Sequence, residues 1–177
     1  MYEADARREA MLESIDQERL AYREAMSRLA AHVQILTAST GSERRGLTVT
    51  AACSVSDTPP TLLVCINAAN PRNGLFEQSG AFALNLLGPG DEALADAFAG
   101  RGGLDHDDRF ARADWTTLVT GAPILAHAVV AFDCRLVEAR TVASHRILIG
   151  EVASILLGVE KQALTYFNRS YYALTGT

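Results

Sequence analysis

The first 28 residues combine many charged side chains with apolar side chains at helical spacing. Charged residues occupy twelve of these positions, and the apolar residues Met11, Ile15 and Tyr22 are separated by four and seven residues. This spacing predicts an amphipathic helix, frayed near its start, that packs along one apolar stripe. Its mixture of acidic and basic charge argues against a helix that lies on a membrane surface.

After this helix, short β-rich runs alternate with turns. Residues 32–40 and 46–57 are predicted to pair as a hairpin across a polar loop. Two prolines then interrupt the chain. The continuous apolar run that follows them, residues 61–67, is typical of a strand buried on both faces.

The second half of the chain continues this pattern. Its predicted strands cover residues 81–87, 115–119, 124–137 and 145–157. A helix is expected from Asp91 to Gly100, followed by a polar excursion over 101–114, and a short helix is expected within the tail 160–174. Many strands, few helices and no regular alternation of the two predict a mainly β fold with helical additions, closed into an antiparallel barrel.

Composition and charge exclude several classes of protein. The chain has a net charge of −5 and a single lysine, Lys161, so it lacks the grouped positive charge that nucleic-acid binding requires. No apolar run reaches the roughly 18 residues of a transmembrane helix, and the charged N-terminus has no apolar signal core. We therefore expect a cytoplasmic protein with no nucleic-acid partner and no membrane partner.

Motifs of several common catalytic centres are missing from the sequence. There is no GxGxxG fingerprint, no P-loop and no GxSxG elbow. The three cysteines, Cys53, Cys65 and Cys134, lie far apart in apolar stretches, which favours reduced thiols over a disulfide or a zinc site. Consecutive residues cannot all face one ion, so the acidic run 105–108 predicts a solvated loop and no metal site.

The segment 46–67 carries the most informative pattern. Small or hydroxyl side chains recur at every second position, which places them on one face of a strand. These residues are Thr48, Thr50, Ala52, Ser54 and Ser56. Such a flat, polar face, with accessible backbone N–H groups, suits the edge of a planar heterocycle. The same pattern also fits an edge strand that faces water.

Several blocks of sequence occur in a characteristic order. They are YREAMSRLAAHVQILT, GLTVTAACSVSDTPPTLLVCIN, FEQSGAFALNLL, LADAFAG, DRF, TGAPIL, AFDCRLVEA and SHRILIGEV. In this order they resemble the short-chain flavin reductases, the reductase components of two-component flavin-dependent monooxygenases such as hydroxyphenylacetate monooxygenase. The resemblance runs from Tyr22 to Leu174. We therefore assign residues 1–21 to an N-terminal helical extension and residues 22–177 to the reductase-like domain.

The resemblance implies a split β-barrel of the FMN-binding type that forms a homodimer. It also implies hydride transfer from NADH or NADPH to FMN or FAD, and release of the reduced flavin to a separate oxygenase component. The flavin would carry the redox chemistry while the protein supplies positioning and electrostatics, without a metal. Two alternatives stay open: a split-barrel protein that binds flavin or haem without catalysis, and a flavin-dependent corrinoid reductase.

The flavin-binding residues are carried over from the resemblance position by position. Those expected to line the flavin ring are Thr48, Val49, Thr50, Ala51, Cys53, Ser54 and Val55, with Cys65, Ile66 and Asn67 at the neighbouring strand end. In the loop that contacts the flavin phosphate, many relatives carry a Ser-x-Thr pair. This chain has Asn70 and Arg72 there instead, with Asn73 as a further donor, and an arginine binds phosphate through charge-assisted hydrogen bonds.

Four more residues are assigned to the nicotinamide site and to the edge of the pocket. His145 matches a histidine near the nicotinamide, where its imidazole would bind the carboxamide or attract the pyrophosphate. Phe110 is expected to stack on the flavin or nicotinamide ring. Arg169 and Tyr171 match a basic-aromatic ending that reaches toward the pocket, although simple packing of this ending on the barrel fits the same residues.

Overall fold

The computed structural model describes residues 2–159 and 162–175, apart from the side chains of residues 2–10, 12 and 14. The helices are α1 (Tyr2–Ser27), α2 (Leu75–Gln78), α3 (Glu92–Phe98) and α4 (His106–Phe110), with 3₁₀ turns at Pro71–Gly74 and Arg101–Gly103. The strands are β1 (Ala31–His32), β2 (Gln34–Ser39), β3 (Arg44–Val49), β4 (Ala52–Asp57), β5 (Pro60–Asn67), β6 (Ala81–Leu86), β7 (Trp115–Thr117), β8 (Pro123–Leu125), β9 (Val130–Val142), β10 (His145–Leu157), β11 (Ala163–Phe167) and β12 (Ser170–Leu174). Within the described residues, no helix has both the length and the apolar character needed to cross a membrane.

Helix α1 is held to the rest of the molecule at its C-terminal end. The Ser27 carbonyl oxygen accepts a hydrogen bond from the Asn168 backbone N–H, and the Glu24 carboxylate pairs with Arg169 at 2.8 Å. The apolar side chains of Met11 and Ile15 are at least half exposed. The helix runs without a break from its first described residue, so the predicted fraying is wrong. The predicted packing of its apolar stripe is absent within the described part of the chain.

Seven strands form one antiparallel sheet in the order β3-β2-β6-β9-β10-β5-β4. Its two edge strands, β3 and β4, are consecutive in the chain and are joined by Thr50 and Ala51 alone. Because this link is so short, the sheet curls until its two edge strands come together. Within the link, the Ala51 carbonyl oxygen accepts a hydrogen bond from the Cys65 backbone N–H of β5 at 2.8 Å. The mainly β class with helical additions is confirmed. The closed barrel is not, because no ladder joins β3 to β4 among the described strands.

The run 46–57, which the sequence predicts as one strand, is divided between the two edges of the sheet. Its first part belongs to β3 and pairs with β2, whereas its second part is β4 and pairs with β5. A register shift between Ser54 and Ser56 interrupts β4 further. The alternation that would place five small side chains on one face is therefore broken twice.

Close packing of α3 and α4 against β3 creates one wall of the candidate site. The Phe98 and Phe110 rings meet edge to face with centroids 5.1 Å apart. A Cβ atom at Gly46 would collide with the Phe98 ring and lie 3.2 Å from Phe110. Glycine at this position therefore lets two helices approach the strand. The predicted helix from Asp91 to Gly100 corresponds to α3.

The C-terminal tail forms a β-hairpin, so the predicted short helix there is wrong for residues 163–174. Strands β11 and β12 pair across Asn168 and Arg169, both of which have positive φ angles, 47° and 63°. Such angles at both central residues belong to two-residue hairpin turns, and Asn tolerates them well. Strand β11 also pairs with β1. Residues 160 and 161 of the predicted helix lie outside the described residues.

Candidate functional site

A cleft of about 870 Å³ opens between β3, the loop after β5 and the segment that joins α3 to α4. From β3 and the loop its walls carry Arg45, Leu47, Thr48, Asn67, Ala69, Asn70, Pro71, Arg72 and Asn73. From the helical segment they carry Phe98, Ala99, Gly100, Leu104, Asp105, His106 and Arg109. Three arginines and one aspartate give these walls an excess of positive charge.

Three asparagine side chains shape the loop after β5. The Asn67 Oδ1 atom accepts a hydrogen bond from the Ala69 N–H at 2.8 Å, and Asn70 Oδ1 accepts from the Arg72 N–H at 3.0 Å. Asn73 is buried, and its Nδ2 donates to the Asn67 carbonyl oxygen at 2.8 Å. These bonds hold the loop in one conformation. The Arg72 guanidinium has no ion pair in the described part of the chain and is free to bind an anion.

Arg45 is a buried cation at the centre of the cleft wall, with only 6% of its surface exposed. Its Nε and Nη2 donate to Asn73 Oδ1 at 2.9 and 2.8 Å, and its Nη1 donates to His106 Nε2. Burial, together with the nearby charges of Arg109 and Arg72, lowers the pKa of Arg45 to about 10. No carboxylate within the described residues pairs with it. A buried guanidinium without a counter-charge is costly, which makes this wall suited to an anionic ligand.

The same surroundings disfavour protonation of His106. Burial, followed by the charges of Arg45, Arg109 and Arg72, lowers the pKa of His106 below its ordinary value, against an opposing contribution from Asp107. Because Nε2 accepts the Arg45 N–H, the proton of the neutral ring lies on Nδ1. This Nδ1 atom is buried and has no hydrogen-bond partner in the described part of the chain.

Three further contacts fix the helical wall of the cleft. The Thr48 hydroxyl donates to the Ala95 carbonyl oxygen of α3 at 2.6 Å. The Arg109 Nε and Nη2 donate to the Leu104 carbonyl oxygen at 3.0 and 2.9 Å, which shapes the turn before α4. Asp105 Oδ1 accepts from the Asp108 N–H at 2.9 Å and caps α4. The acidic run 105–108 therefore begins a short helix.

The structure brings five of the sequence-predicted residues together in the cleft: Thr48, Asn67, Asn70, Arg72 and Asn73. Thr50 and Ala51 lie beside it, exposed, in the link between β3 and β4. The side chains of Val49 and Ile66 are buried in the hydrophobic core. Only the backbone of these two residues can face a ligand.

The remaining residues of the predicted ring-lining set lie on β4 and β5, away from the cleft walls. Cys53 and Ser54 line a separate, mainly apolar cavity of about 350 Å³. Val55 is exposed, and Cys65 is half-buried. Burial, with a smaller contribution from Cys53, raises the pKa of the Cys65 thiol.

Phe110 is not brought to the cleft, in contrast to the expectation that it stacks on a ligand ring. Only 2% of its surface is exposed. Its ring packs against Trp115 with centroids 5.0 Å apart, and the Arg44 guanidinium lies 4.5 Å from the ring centroid. Its burial follows from the close approach of α3 and α4 to Gly46.

His145 stands at the edge of the cleft, because it begins β10 directly opposite Asn67 of β5. The imidazole is exposed, with Nδ1 3.0 Å from the Ser144 hydroxyl. Tyr171 and Arg169 lie further away. The Tyr171 hydroxyl donates to Asp96 of α3 at 2.7 Å, and burial followed by this contact raises the pKa of Tyr171 to about 12.

Three residues of the cleft wall were not assigned to the site from the sequence: Arg45, His106 and Arg109. The two arginines add to the positive charge of the cleft, and His106 binds Arg45. A signal for Arg45 was present, because strand alternation places it on the same face as the apolar Leu47 and Val49. Nothing local indicates that His106 is its partner, since the two residues are 61 positions apart.

The chain is similar in sequence to known proteins. The family described as flavin reductase like domain matches residues 26–175. A protein of Ancylobacter novellus named FMN reductase (NADH) RutF is 45% identical over 156 residues, covering 88% of this chain and 85% of the relative. The protein of that name from Stutzerimonas stutzeri is 42% identical over 156 residues, covering 88% of each.

Solved structures agree with this relationship. The flavin reductase component BorF of a bacterial two-component tryptophan halogenase superposes with a TM-score of 0.81 at 26% identity, covering 90% of this chain and 99% of that one. The NADH:FAD oxidoreductase of Streptomyces globisporus C-1027 gives a TM-score of 0.80 at 26% identity, covering 91% and 90%. This chain therefore has the same fold as these two flavin reductases.

Proposed function

The chain belongs to the flavin reductase like domain family, and we propose that this flavin reductase transfers a hydride from NADH to FMN and releases the reduced flavin to a separate oxygenase. Membership of the family confirms the resemblance stated from the sequence, the split-barrel fold class and the oxidoreductase class. The choice of FMN and NADH rests on the names of the relatives and on the cleft.

The observation that carries the proposal is the buried Arg45, which has no carboxylate partner among the described residues, in a cleft that also contains Arg72 and Arg109. A phosphate group is the anion that fits such a wall, because planar guanidinium groups bind its oxygens in pairs. The three asparagines already fix the loop around this position. The charge and the donors of the cleft therefore fit the phosphate end of a flavin nucleotide.

The other end of the flavin would lie toward Thr48, Thr50 and Ala51, where the chain crosses from β3 to β4. Backbone N–H and C=O groups at such a crossing are accessible beside short side chains, and they suit the polar edge of a flavin ring. The flavin supplies the hydride acceptor when it is bound. The protein supplies orientation and keeps the two reactants adjacent.

We assign His145 to positioning of the nicotinamide. It is exposed at the cleft edge opposite Asn67, and its Nδ1 is oriented by the Ser144 hydroxyl. In this position an imidazole can bind the carboxamide or attract the pyrophosphate of NADH. Substitution of His145 by Ala should raise the KM for NADH and leave the Kd for FMN unchanged. An unchanged KM would remove His145 from the nicotinamide site.

The proposed partners are a second copy of the chain and a separate oxygenase in the cytoplasm, where NADH is available. Support for an oxygenase partner comes from structural neighbours that are reductase components, such as that of the styrene monooxygenase of Pseudomonas putida S12 (25% identity, TM-score 0.77, covering 88% of this chain and 98% of that one). An enzyme that supplies a diffusible product requires no permanent complex with its partner. We expect reduced flavin to be released before it is used.

The test is NADH oxidation by the desalted protein, followed by absorbance, with and without added FMN, FAD or riboflavin, and repeated with NADPH. We expect turnover that depends strictly on free flavin, with the highest kcat/KM for FMN and NADH. If flavin quenches protein fluorescence but no combination gives turnover, the chain binds flavin without reducing it and the proposal fails. Preference for FAD or NADPH would overturn only the cofactor assignment.

A further inference from the structure

We infer that Arg45, locked by Asn73 and His106, is a specificity-determining residue that makes the cleft select flavins ending in a phosphate monoester over riboflavin and over FAD. This inference rests on the proposed function, since it concerns the flavin that the reductase accepts. It assigns the selectivity to a side chain on β3, outside the loop that the sequence indicates as the phosphate-binding segment.

The charge around Arg45 is unbalanced. Arg45, Arg72 and Arg109 line one cleft, and the nearby carboxylates are engaged elsewhere. Asp105 caps α4 through its Oδ1, and Asp107 lies 3.8 Å from Arg44 at the surface. Burial of one guanidinium beside two others is unfavourable until an anion joins them. A ligand with two negative charges offsets this repulsion better than one with a single charge.

Hydrogen bonds fix the orientation of the Arg45 side chain. A guanidinium has five N–H donors, and three of those on Arg45 bind Asn73 Oδ1 and His106 Nε2. Asn73 is itself fixed by its bond to the Asn67 carbonyl oxygen. The plane of the guanidinium is therefore set before a ligand arrives, and two N–H donors stay available. Little conformational entropy is lost when they bind phosphate.

FMN, FAD and riboflavin differ in their phosphate groups. A phosphate monoester carries roughly −1.5 to −2 charges near neutral pH and presents three terminal oxygens. Riboflavin has no phosphate. Each phosphate of FAD has one ester bond and one anhydride bond, so it carries one charge and has fewer free oxygens. The buried position of Arg45 leaves its contribution poorly screened by salt. Arg45 should therefore discriminate among the three flavins by terminal charge, whereas exposed arginines discriminate weakly.

The experiment measures Kd for FMN, FAD and riboflavin by quenching of flavin fluorescence, using wild type, Arg45→Gln, Arg45→Lys and Arg112→Gln. Arg112 is exposed and lines none of the cleft walls, so it is a matched control for loss of one charge. Removing a hydrogen bond to a charged group costs about 1.5–3 kcal/mol. We therefore expect Arg45→Gln to weaken FMN binding by about 10- to 100-fold, with riboflavin binding unchanged.

Lysine keeps the charge but loses the planar fork, so Arg45→Lys should fall between wild type and Arg45→Gln for FMN. Equal losses for FMN and riboflavin would mean that Arg45 only supports the fold, and they would overturn the inference. Equal losses for FMN and FAD, with riboflavin unchanged, would overturn selectivity for the monoester. Both outcomes leave the reductase assignment intact. That assignment fails separately if the wild type neither binds nor reduces any flavin.

Discussion

Arg44 and Arg45 are adjacent in sequence and have opposite surroundings. The Arg44 side chain is 44% exposed and lies 3.8 Å from Asp107, whereas Arg45 is buried against Asn73 and His106. The alternation of strand β3 produces this difference, because it directs neighbouring side chains to opposite faces. The same alternation was readable in the sequence, but a buried arginine is expected only where a partner is known.

We expect the free energy of unfolding to depend on the protonation of one residue, His106. Its pKa is lowered from the ordinary value of 6.5, chiefly by burial and by Arg45. Below this ordinary value the unfolded chain binds a proton that the folded protein resists. Stability from this group is therefore complete at higher pH and is lost as the pH falls from about 6.5 toward the lower pKa of the folded state.

His106→Gln keeps an acceptor for Arg45 but does not titrate, so its urea midpoint should fall less than that of wild type on acidification. The measurement compares urea unfolding of both proteins at about pH 7.5 and about pH 5.5, a range that brackets the ordinary histidine pKa. The positive charges of Arg72 and Arg109 act on position 106 in both proteins. Parallel decreases in the two proteins would contradict the prediction.

At the scale of elements, local pattern predicted most strands and failed where distant contacts decide. The strand over residues 61–67 and helix α3 were predicted correctly because their periodicity and boundaries are local. The prediction that this strand is buried on both faces was wrong, since Leu63 and Cys65 are only partly buried. The break between β3 and β4 was missed, since Thr50 and Ala51 carry no turn signal and the chain divides there to join both edges of the sheet. The C-terminal hairpin was missed for a related reason: its partner, β1, lies at the other end of the chain.

The candidate site also combines residues indicated by the sequence with residues that only distant contacts bring together. The resemblance to the flavin reductases pointed to Asn67, Asn70 and Arg72, and the structure places all three in the cleft. Arg45 and His106 could not be predicted, because their contact forms only after α4 packs on β3. One wall of the cleft therefore depends on contacts between distant segments of the chain. The opposite wall, the loop after β5, is shaped by hydrogen bonds between neighbouring residues.

Packing of α3 and α4 on β3 gives a prediction about Gly46. An added Cβ atom there would meet the Phe98 ring, so Gly46→Ala should destabilise the protein by about 1–3 kcal/mol through overpacking. Urea unfolding measures this change. Gly74→Ala is the control, because its Cβ would meet only Gln78 Nε2 at 3.9 Å. Equal stabilities of the two variants would contradict the packing argument.

At the scale of the whole molecule, the charge of the cleft is opposite to that of the chain. The chain has a net charge of −5, whereas three arginines line the cleft. A cationic cleft in an acidic surface focuses the field on anionic ligands at that one position. Other parts of the surface repel the same ligands, which favours binding at the cleft.

We expect residues 2–20 of α1 to be dispensable for the fold and for flavin binding. The family match begins at residue 26, so most of the helix lies outside it. Its contacts with the C-terminal hairpin come from Glu24 and Ser27. A chain that lacks residues 2–20 should keep its thermal midpoint, its Kd for FMN and its oligomeric state. Calorimetry, flavin titration and sedimentation test these expectations, and a smaller oligomer on truncation would contradict them and assign α1 to a subunit interface.

Pairing between β1 and β11 has a consequence for synthesis of the protein on the ribosome. The Val33 N–H donates to the Leu164 carbonyl oxygen at 2.8 Å, and the Leu164 N–H donates to the Leu87 carbonyl oxygen at 2.9 Å. Leu164 thus completes hydrogen bonds for segments translated long before it, and pairings so distant in sequence form slowly. A nascent chain that still lacks β11 keeps this part of its interior open to water and to other chains. Until β11 has been translated, such a chain exposes apolar surface and unpaired backbone groups of the kind that lead to aggregation.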